Sequence, residues 1–349
     1  MLPPFNKSRD ELVYILISRG MRSAAGLSDA ELRDRISRDL AAVNYYRMSA
    51  YWYPFRKPLP AANLPKRAKS FLPGTCWETV WSYYQFDVNL RNLLFEAIGR
   101  IEIALRGAVA AVLASKAPES TNPQAVLSSY RNSFKVPPRG RSHSLFDEMM
   151  DKVDACYHSS RGEGSRHYLV GKKIAHAKNL PVWVFMEYAT FGNLNTLISS
   201  GLKRTDVEII AKRFGFLSGE FFASAVALLH QVRNECAHQG RIWNRKWVKR
   251  PMLYAATPIL KSPDRRDWKY CTPIHDVWML AEDDPDILFL SPVCTATALT
   301  ICHLMLRAIA PQCGWRDRLI ALFNTCGLPD IHSEVGFTTP DWPHHSLWE

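Results

Sequence analysis

No CxxC pair occurs among the 8 cysteines, which removes zinc ribbons and dithiol redox motifs from consideration. Cys236 and His238 lie two residues apart, a spacing that suits joint metal ligation poorly on a helix. No P-loop or GxGxxG precedes a helical pattern, so nucleotide cradles of those kinds are excluded, and the chain is expected to need neither metal nor cofactor. Long apolar runs are missing too. The longest, Gly107 to Ala114, is flanked by Arg106 and Lys116 and is too short to span a bilayer. The run Leu12 to Ile17 is short and follows Asp10 and Glu11, unlike a signal peptide, so a reduced, cytoplasmic setting is expected. No series of alternating strands, βαβ order or internal repeat is visible.

Acidic residues are outnumbered, 33 against 44 Lys and Arg, for a formal charge of +11. A basic surface attracts polyanions, of which nucleic acid is the commonest. No basic amphipathic helix with a separate apolar face points to an anionic membrane, and no helix-turn-helix signal points to a DNA-binding regulator. The 47% hydrophobic content, with 11 Trp, 13 Tyr and 16 Phe, is enough for a sizeable core.

Helical periodicity dominates, and the expected class is all-α. Four helix starts read as capping boxes, a hydroxyl followed three residues later by glutamate: Ser8–Glu11, Ser28–Glu31, Thr75–Glu78 and Thr205–Glu208. The first helix should stop at Gly20, and the second buries Leu32, Ile36 and Leu40. Residues 43–55, VNYYRMSAYWYPF, interleave aromatics with arginine. Such a pattern can stack on unpaired bases, with Tyr46 and Arg47 as candidates, and equally serves as core packing. Residues 56–74 form a basic loop or short hairpin. This closes an N-terminal region, 1–74, ahead of a helical core, 75–349. From Thr75 to about Lys116 one long helix is expected, with at most a kink near Gln85 to Asp87. Its charge row of Arg91, Glu102 and Arg106 is either a salt-bridged face or the frame of a site in which Glu102 and Arg106 support an arginine. Residues 117–143 read as a loop and an internal boundary. Helices follow at 144–158, at 164–178, from Pro181 to a break at Gly192 with Trp183, Val184 and Tyr188 buried, at 206–214, and from Ser218 to near Gly240. Residues past Trp247 are irregular and basic through Asp286. Two helices, Thr295–Ala310 and Trp315–Cys326, precede an extended tail.

The chemistry-bearing stretch is RNECAHQGRIWNR, beginning at Arg233 and closing the apolar run Phe221 to Val232. Histidine exchanges protons near neutral pH, and arginine is a permanent cation whose fork fits phosphate. A helix turns about 100° per residue, so Arg233 and His238 stand about 140° apart, while Asn234 and His238 share a face. Two such helices across a twofold axis would put two histidines and two arginines around one cleft. There His238 serves as general base or acid, Arg233 stabilises charge on phosphorus oxygens, and Asn234 fixes the imidazole or binds a phosphate oxygen. Arg241, Asn244 and Arg245 follow as candidate RNA contacts. The bland alternative is that Arg-x4-His recurs by chance, with a lone histidine capping its helix.

Beyond spacing, RNECAHQGRIWNR resembles the signature of the abortive-infection (Abi-like, AbiD/AbiF) proteins of the HEPN superfamily. VNYYRMSAYWYPF, FDVNLRNLLFEAIGRIEIALR, NLPVWVFMEYATFGNLNTL and GFTTPDWPHHSLW match other motifs of that family in order, covering most of the chain. The resemblance implies an all-α HEPN-type bundle elaborated with extra helices and an irregular basic region. It also implies a homodimer and a metal-independent endoribonuclease centred on Arg233, Asn234 and His238, acting as a toxin in phage defence and checked by a noncoding RNA or another antitoxin. Gln239-Gly240 departs from the family, which often has a second His and a Ser there, and Ala50 stands where glycine is common. A non-catalytic module holding a structured RNA is the competing expectation.

Overall fold

The computed structural model describes residues 7–59, 67–116, 122–135, 144–158, 181–216, 218–249, 251, 294–337, 339–344 and 348. Among these residues the fold is all-α apart from one small hairpin. The helices are α1 (Arg9–Ser18), α2 (Asp29–Ala42), α3 (Tyr45–Trp52), α4 (Trp77–Lys116), α5 (Pro123–Ser128), α6 (Leu145–His158), α7 (Val182–Tyr188), α8 (Phe191–Thr196), α9 (Arg204–Arg213), α10 (Gly219–Ala237), α11 (Thr295–Ile309), α12 (Trp315–Thr325) and α13 (Ile331–Val335). The hairpin pairs β1 (Arg56–Pro58) with β2 (Arg67–Phe71) in antiparallel register, Arg56 opposite Phe71. Two compact units emerge, Met1–Arg91 with Leu319–Ile331, and Asn92–Arg318 with His332–Glu349. No helix among the described residues is long and apolar enough to cross a membrane.

In the first unit the Ser8 and Ser28 boxes form as expected, each serine accepting the N–H three residues on while the glutamate reaches back to the cap. The aromatic segment is mainly core: Met48, Tyr51 and Trp52 are buried, and Trp52 lies between Tyr45 and Trp77 at ring separations of 4.9 and 6.2 Å. Tyr46 and Tyr53 are exceptions, 70% and 40% exposed. The Thr75 box does not form. Glu78 instead accepts from the Ser23 hydroxyl (2.8 Å) and the Ala24 N–H (2.9 Å), while Thr75 donates to the Leu72 carbonyl (2.8 Å). A carboxylate that can tie down a separate loop is not needed at its own cap. The first member of the expected charge row, Arg91, is buried rather than surface-lying. Its guanidinium meets Asp87 at 2.7 Å, and the same carboxylate accepts the Tyr51 hydroxyl at 2.6 Å.

The second unit is organised around α10. It packs against α8, the π-helical turn Leu197–Gly201, α9 and α11, burying Phe222, Val226, Leu229, Val232 and Cys236. Ser218 caps it by accepting the Phe221 N–H at 3.2 Å. Along α4 the apolar row Leu94, Ala97, Ile98, Ile101 and Leu105 is fully buried. Other expectations shift. The Thr205 box is absent because α9 starts at Arg204, which pairs with Glu208 at 3.0 Å. Pro181 is the cap of α7 rather than its first residue, and the helix buries Val182, Phe185 and Met186, leaving Trp183 46% exposed. The break comes at Ala189–Thr190, where Thr190 opens α8 through its own capping box with Asn193, so Gly192 lies inside a helix. The segment read as loop contains α5, begun by an Asn122 cap and Pro123. The tail carries α13 and a short turn, Trp342–His344, and buries Trp342 and Trp348. The helix expected at 164–178 and most of the irregular basic stretch lie outside the described residues.

Candidate active site

Arg233, Asn234 and His238 all derive their placement from the last two turns of α10. His238 is the C-cap, and the chain leaves the helix through a paired closure: Gln239 N–H donates to the Cys236 carbonyl (3.0 Å) and Gly240 N–H to the Glu235 carbonyl (2.8 Å). This is the Schellman arrangement, which needs a left-handed residue just past the cap. Gln239 takes that conformation at φ 57°, although glycine is the usual choice. Gly240 meets a different demand. A Cβ there would lie 1.8 Å from Oε1 of Glu235, whose side chain folds over the glycine to reach Arg245 at 2.5 Å.

The loop beyond is therefore braced. Arg245 also donates to the Arg241 carbonyl (3.3 Å) and lies 5.1 Å over the Trp247 ring, and Arg241 lies 5.7 Å over Trp243. Both arginines, expected as RNA contacts, thus hold structural partners on the protein. Asn244 is exposed at φ 49°, another left-handed position.

On the flank of α10, Arg233 is oriented by α4. Its Nε lies 3.7 Å from Oε2 of Glu102, and its guanidinium sits 5.9 Å over the Phe95 ring. At 3.7 Å there is attraction but no hydrogen bond, and Nε is buried with no hydrogen-bond partner. The carboxylate is itself anchored: its other oxygen takes Arg106 at 2.6 Å, and Arg106 donates to the Ala189 carbonyl at 3.1 Å. Glu102 is 8% exposed, so this charge is fixed in place. Arg106 holds Glu102, and Glu102 steers Arg233. His238 is exposed, and its ring has no hydrogen bond among the described residues.

Asn234 does not touch His238. Its Nδ2 lies 3.1 Å from Nε2 of His230, one turn back on the same face. The His230 ring stacks on Phe191, centroids 5.9 Å apart and planes 6° from parallel. Gly192 makes room for it, since a Cβ there would come within 3.3 Å of Nε2. Burial, then the charges of Arg233 and Lys249, push the His230 pKa below the usual histidine value, with Glu102 opposing. The lowered pKa favours the neutral ring, and the tautomer protonated at Nδ1 is the one whose Nε2 can accept from the Asn234 amide. Sequence reasoning passed over His230. The available signal was the four-residue spacing His230, Asn234, His238.

Tyr46 and Arg47 belong to the first unit, on α3, where Asn44 caps the helix by accepting the Arg47 N–H at 2.8 Å. Among the described residues no three His, Cys, Asp or Glu side chains cluster as metal ligands do.

No curated protein and no solved structure gives a significant match to this chain. Residues 38–244 match the family model described as Abi-like protein, a span that takes in α4, α10 and the loop through Asn244. With more than half of its 349 residues covered, the chain belongs to the Abi-like protein family.

Proposed function

We propose that this chain is a metal-independent endoribonuclease of the HEPN type, acting as a toxin in the abortive-infection defence with which its family is associated. The observation that carries the reading is the pairing of an oriented arginine with an unengaged histidine at one helix end. Arg233 is aimed by a fixed carboxylate that lies 3.7 Å from its buried Nε, while the side chain as a whole stays 34% exposed, and His238 stands exposed five residues on. An arginine held by charge and ring contact can offer its outer N–H groups to a phosphate without first breaking a hydrogen bond.

In the proposed reaction one His238 takes the proton of a ribose 2′-hydroxyl and the 2′-oxygen bonds to phosphorus. The P–O5′ bond breaks, and the leaving oxygen receives a proton from the second His238 of a homodimer, in its imidazolium form. Arg233 stabilises the charge that grows on the non-bridging oxygens. The products are a 2′,3′-cyclic phosphate and a 5′-hydroxyl. Purified wild type should cleave RNA, and His238→Ala and Arg233→Ala, folded and dimeric, should not. Equal cleavage by His238→Ala refutes the assignment. Intact RNA with tight binding in every variant would instead identify a non-catalytic RNA-binding module.

A further inference from the structure

The carboxamide of Asn234 can donate two hydrogens and accept at its oxygen. One hydrogen of Nδ2 goes to His230 at 3.1 Å, and no donor among the described residues reaches the amide oxygen. The His230 ring is kept in plane by its stack on Phe191, and the missing side chain of Gly192 gives Nε2 its room. A carboxamide held through one of its two amide hydrogens keeps the second for a phosphate oxygen and has its own oxygen fixed on the other side as an acceptor. That oxygen can accept a hydroxyl hydrogen. Among the groups around a scissile RNA phosphate, the 2′-hydroxyl is the one that supplies such a hydrogen and that DNA lacks.

We propose that His230 is a positioning residue which locks the Asn234 carboxamide so that its oxygen receives the 2′-hydroxyl of the nucleotide to be cleaved. This rests on the ribonuclease reading above. The hydrogen bond orients the hydroxyl before its proton passes to His238, and it makes the His230–Asn234 pair a selector for ribose. His230 acts through Asn234 and touches no reacting atom.

The test is a kinetic double-mutant cycle on an RNA oligonucleotide that the wild type cleaves, with His238→Ala run alongside and folding checked by circular dichroism. His230→Phe retains the stack on Phe191 and loses the acceptor. It should lower kcat by about tenfold, the scale of one net hydrogen bond, with KM changed by less than about twofold. His230→Gln, whose amide oxygen can accept from Asn234, should recover much of the loss. The His230→Phe/Asn234→Ala double variant should be no slower than Asn234→Ala, because both changes break one unit. A purely structural role predicts neither rescue by glutamine nor this non-additivity. If His230→Phe does not fold, Gly192→Ala replaces it, crowding Nε2 at 3.3 Å without changing the ring, and it too should lower kcat. Wild-type kcat in whichever of the two folds, or multiplicative losses in the cycle, overturns the proposal while inactive His238→Ala leaves the ribonuclease reading standing. Active His238→Ala overturns both.

Discussion

Removing the Glu102 carboxylate separates the two tasks assigned to it, anchoring Arg106 and steering Arg233. Breaking a buried ion pair by deleting one partner costs about 3–5 kcal/mol when the surviving charge is fully enclosed. Arg106 is not fully enclosed, its side chain being 21% exposed, and it keeps the Ala189 carbonyl at 3.1 Å. The loss for Glu102→Ala should therefore fall to about 2–3 kcal/mol. Arg233, with its side chain 34% exposed and 3.7 Å from the carboxylate, adds less than about 1 kcal/mol. Glu102→Gln keeps an acceptor for Arg106 and should cost about 1 kcal/mol, the value of one weakened hydrogen bond. Activity should order differently. Both variants discharge the group that steers Arg233, so both should lose cleavage well beyond their stability deficit. Urea unfolding followed by circular dichroism gives the first quantity, and RNA cleavage at a temperature where each variant is folded gives the second. Wild-type stability in Glu102→Ala refutes the anchoring of Arg106, and wild-type cleavage in Glu102→Gln refutes the steering of Arg233.

In the first unit, Asp87→Ala removes the carboxylate that Arg91, its side chain 3% exposed, meets at 2.7 Å, and should cost about 3–5 kcal/mol; Tyr51→Phe removes the hydroxyl that bonds the same carboxylate and should cost about 1.5–3 kcal/mol, both read from urea midpoints. His303 is buried against Trp348, and burial, then the charges of Arg307 and Arg316, holds its pKa at about 3. The unfolded chain, with an ordinary histidine near 6.5, binds more protons between those values, so this group lowers stability as pH falls through that window. Relative to wild type, His303→Phe should lose about 2 kcal/mol less on going from pH 7 to pH 5, and an unchanged acid slope contradicts it. If the active cleft is shared by two copies, specific activity on dilution should fall in step with the dimer fraction measured by light scattering, and constant activity through dissociation refutes the shared cleft.

Local chemistry was the legible part. Ser8 and Ser28 announce α1 and α2 because each glutamate keeps an oxygen for its own cap, even where Lys7 meets the other oxygen of Glu11 at 3.4 Å, and the apolar periodicity of α4 and α10 survives packing intact. The Thr75 and Thr205 boxes failed where distant or neighbouring groups claimed the glutamate, Ser23 and Ala24 for Glu78 and Arg204 for Glu208. Such claims depend on which loops the fold brings near and have no local trace. The same holds at the site. The charge row along α4 pointed to Glu102 and Arg106 together, but only the packing of α4 beside α10 shows that one carboxylate serves two arginines. Gly192 reads as a helix breaker in sequence, whereas its use is the space it leaves for His230. Arg241 and Arg245 looked like spare cations because their partners, Trp243, Trp247 and Glu235, are met only once the helix has closed.

The central claim is chemical, and the ends of the cleaved RNA test it most directly. Fragments produced by the purified wild-type protein should carry 5′-hydroxyl and 2′,3′-cyclic phosphate ends, and a single 2′-deoxynucleotide placed at a mapped cleavage position should abolish cutting there. Fragments with 5′-phosphate ends, or undiminished cutting at the deoxy position, would contradict attack by the 2′-hydroxyl and with it the roles given to Arg233 and His238.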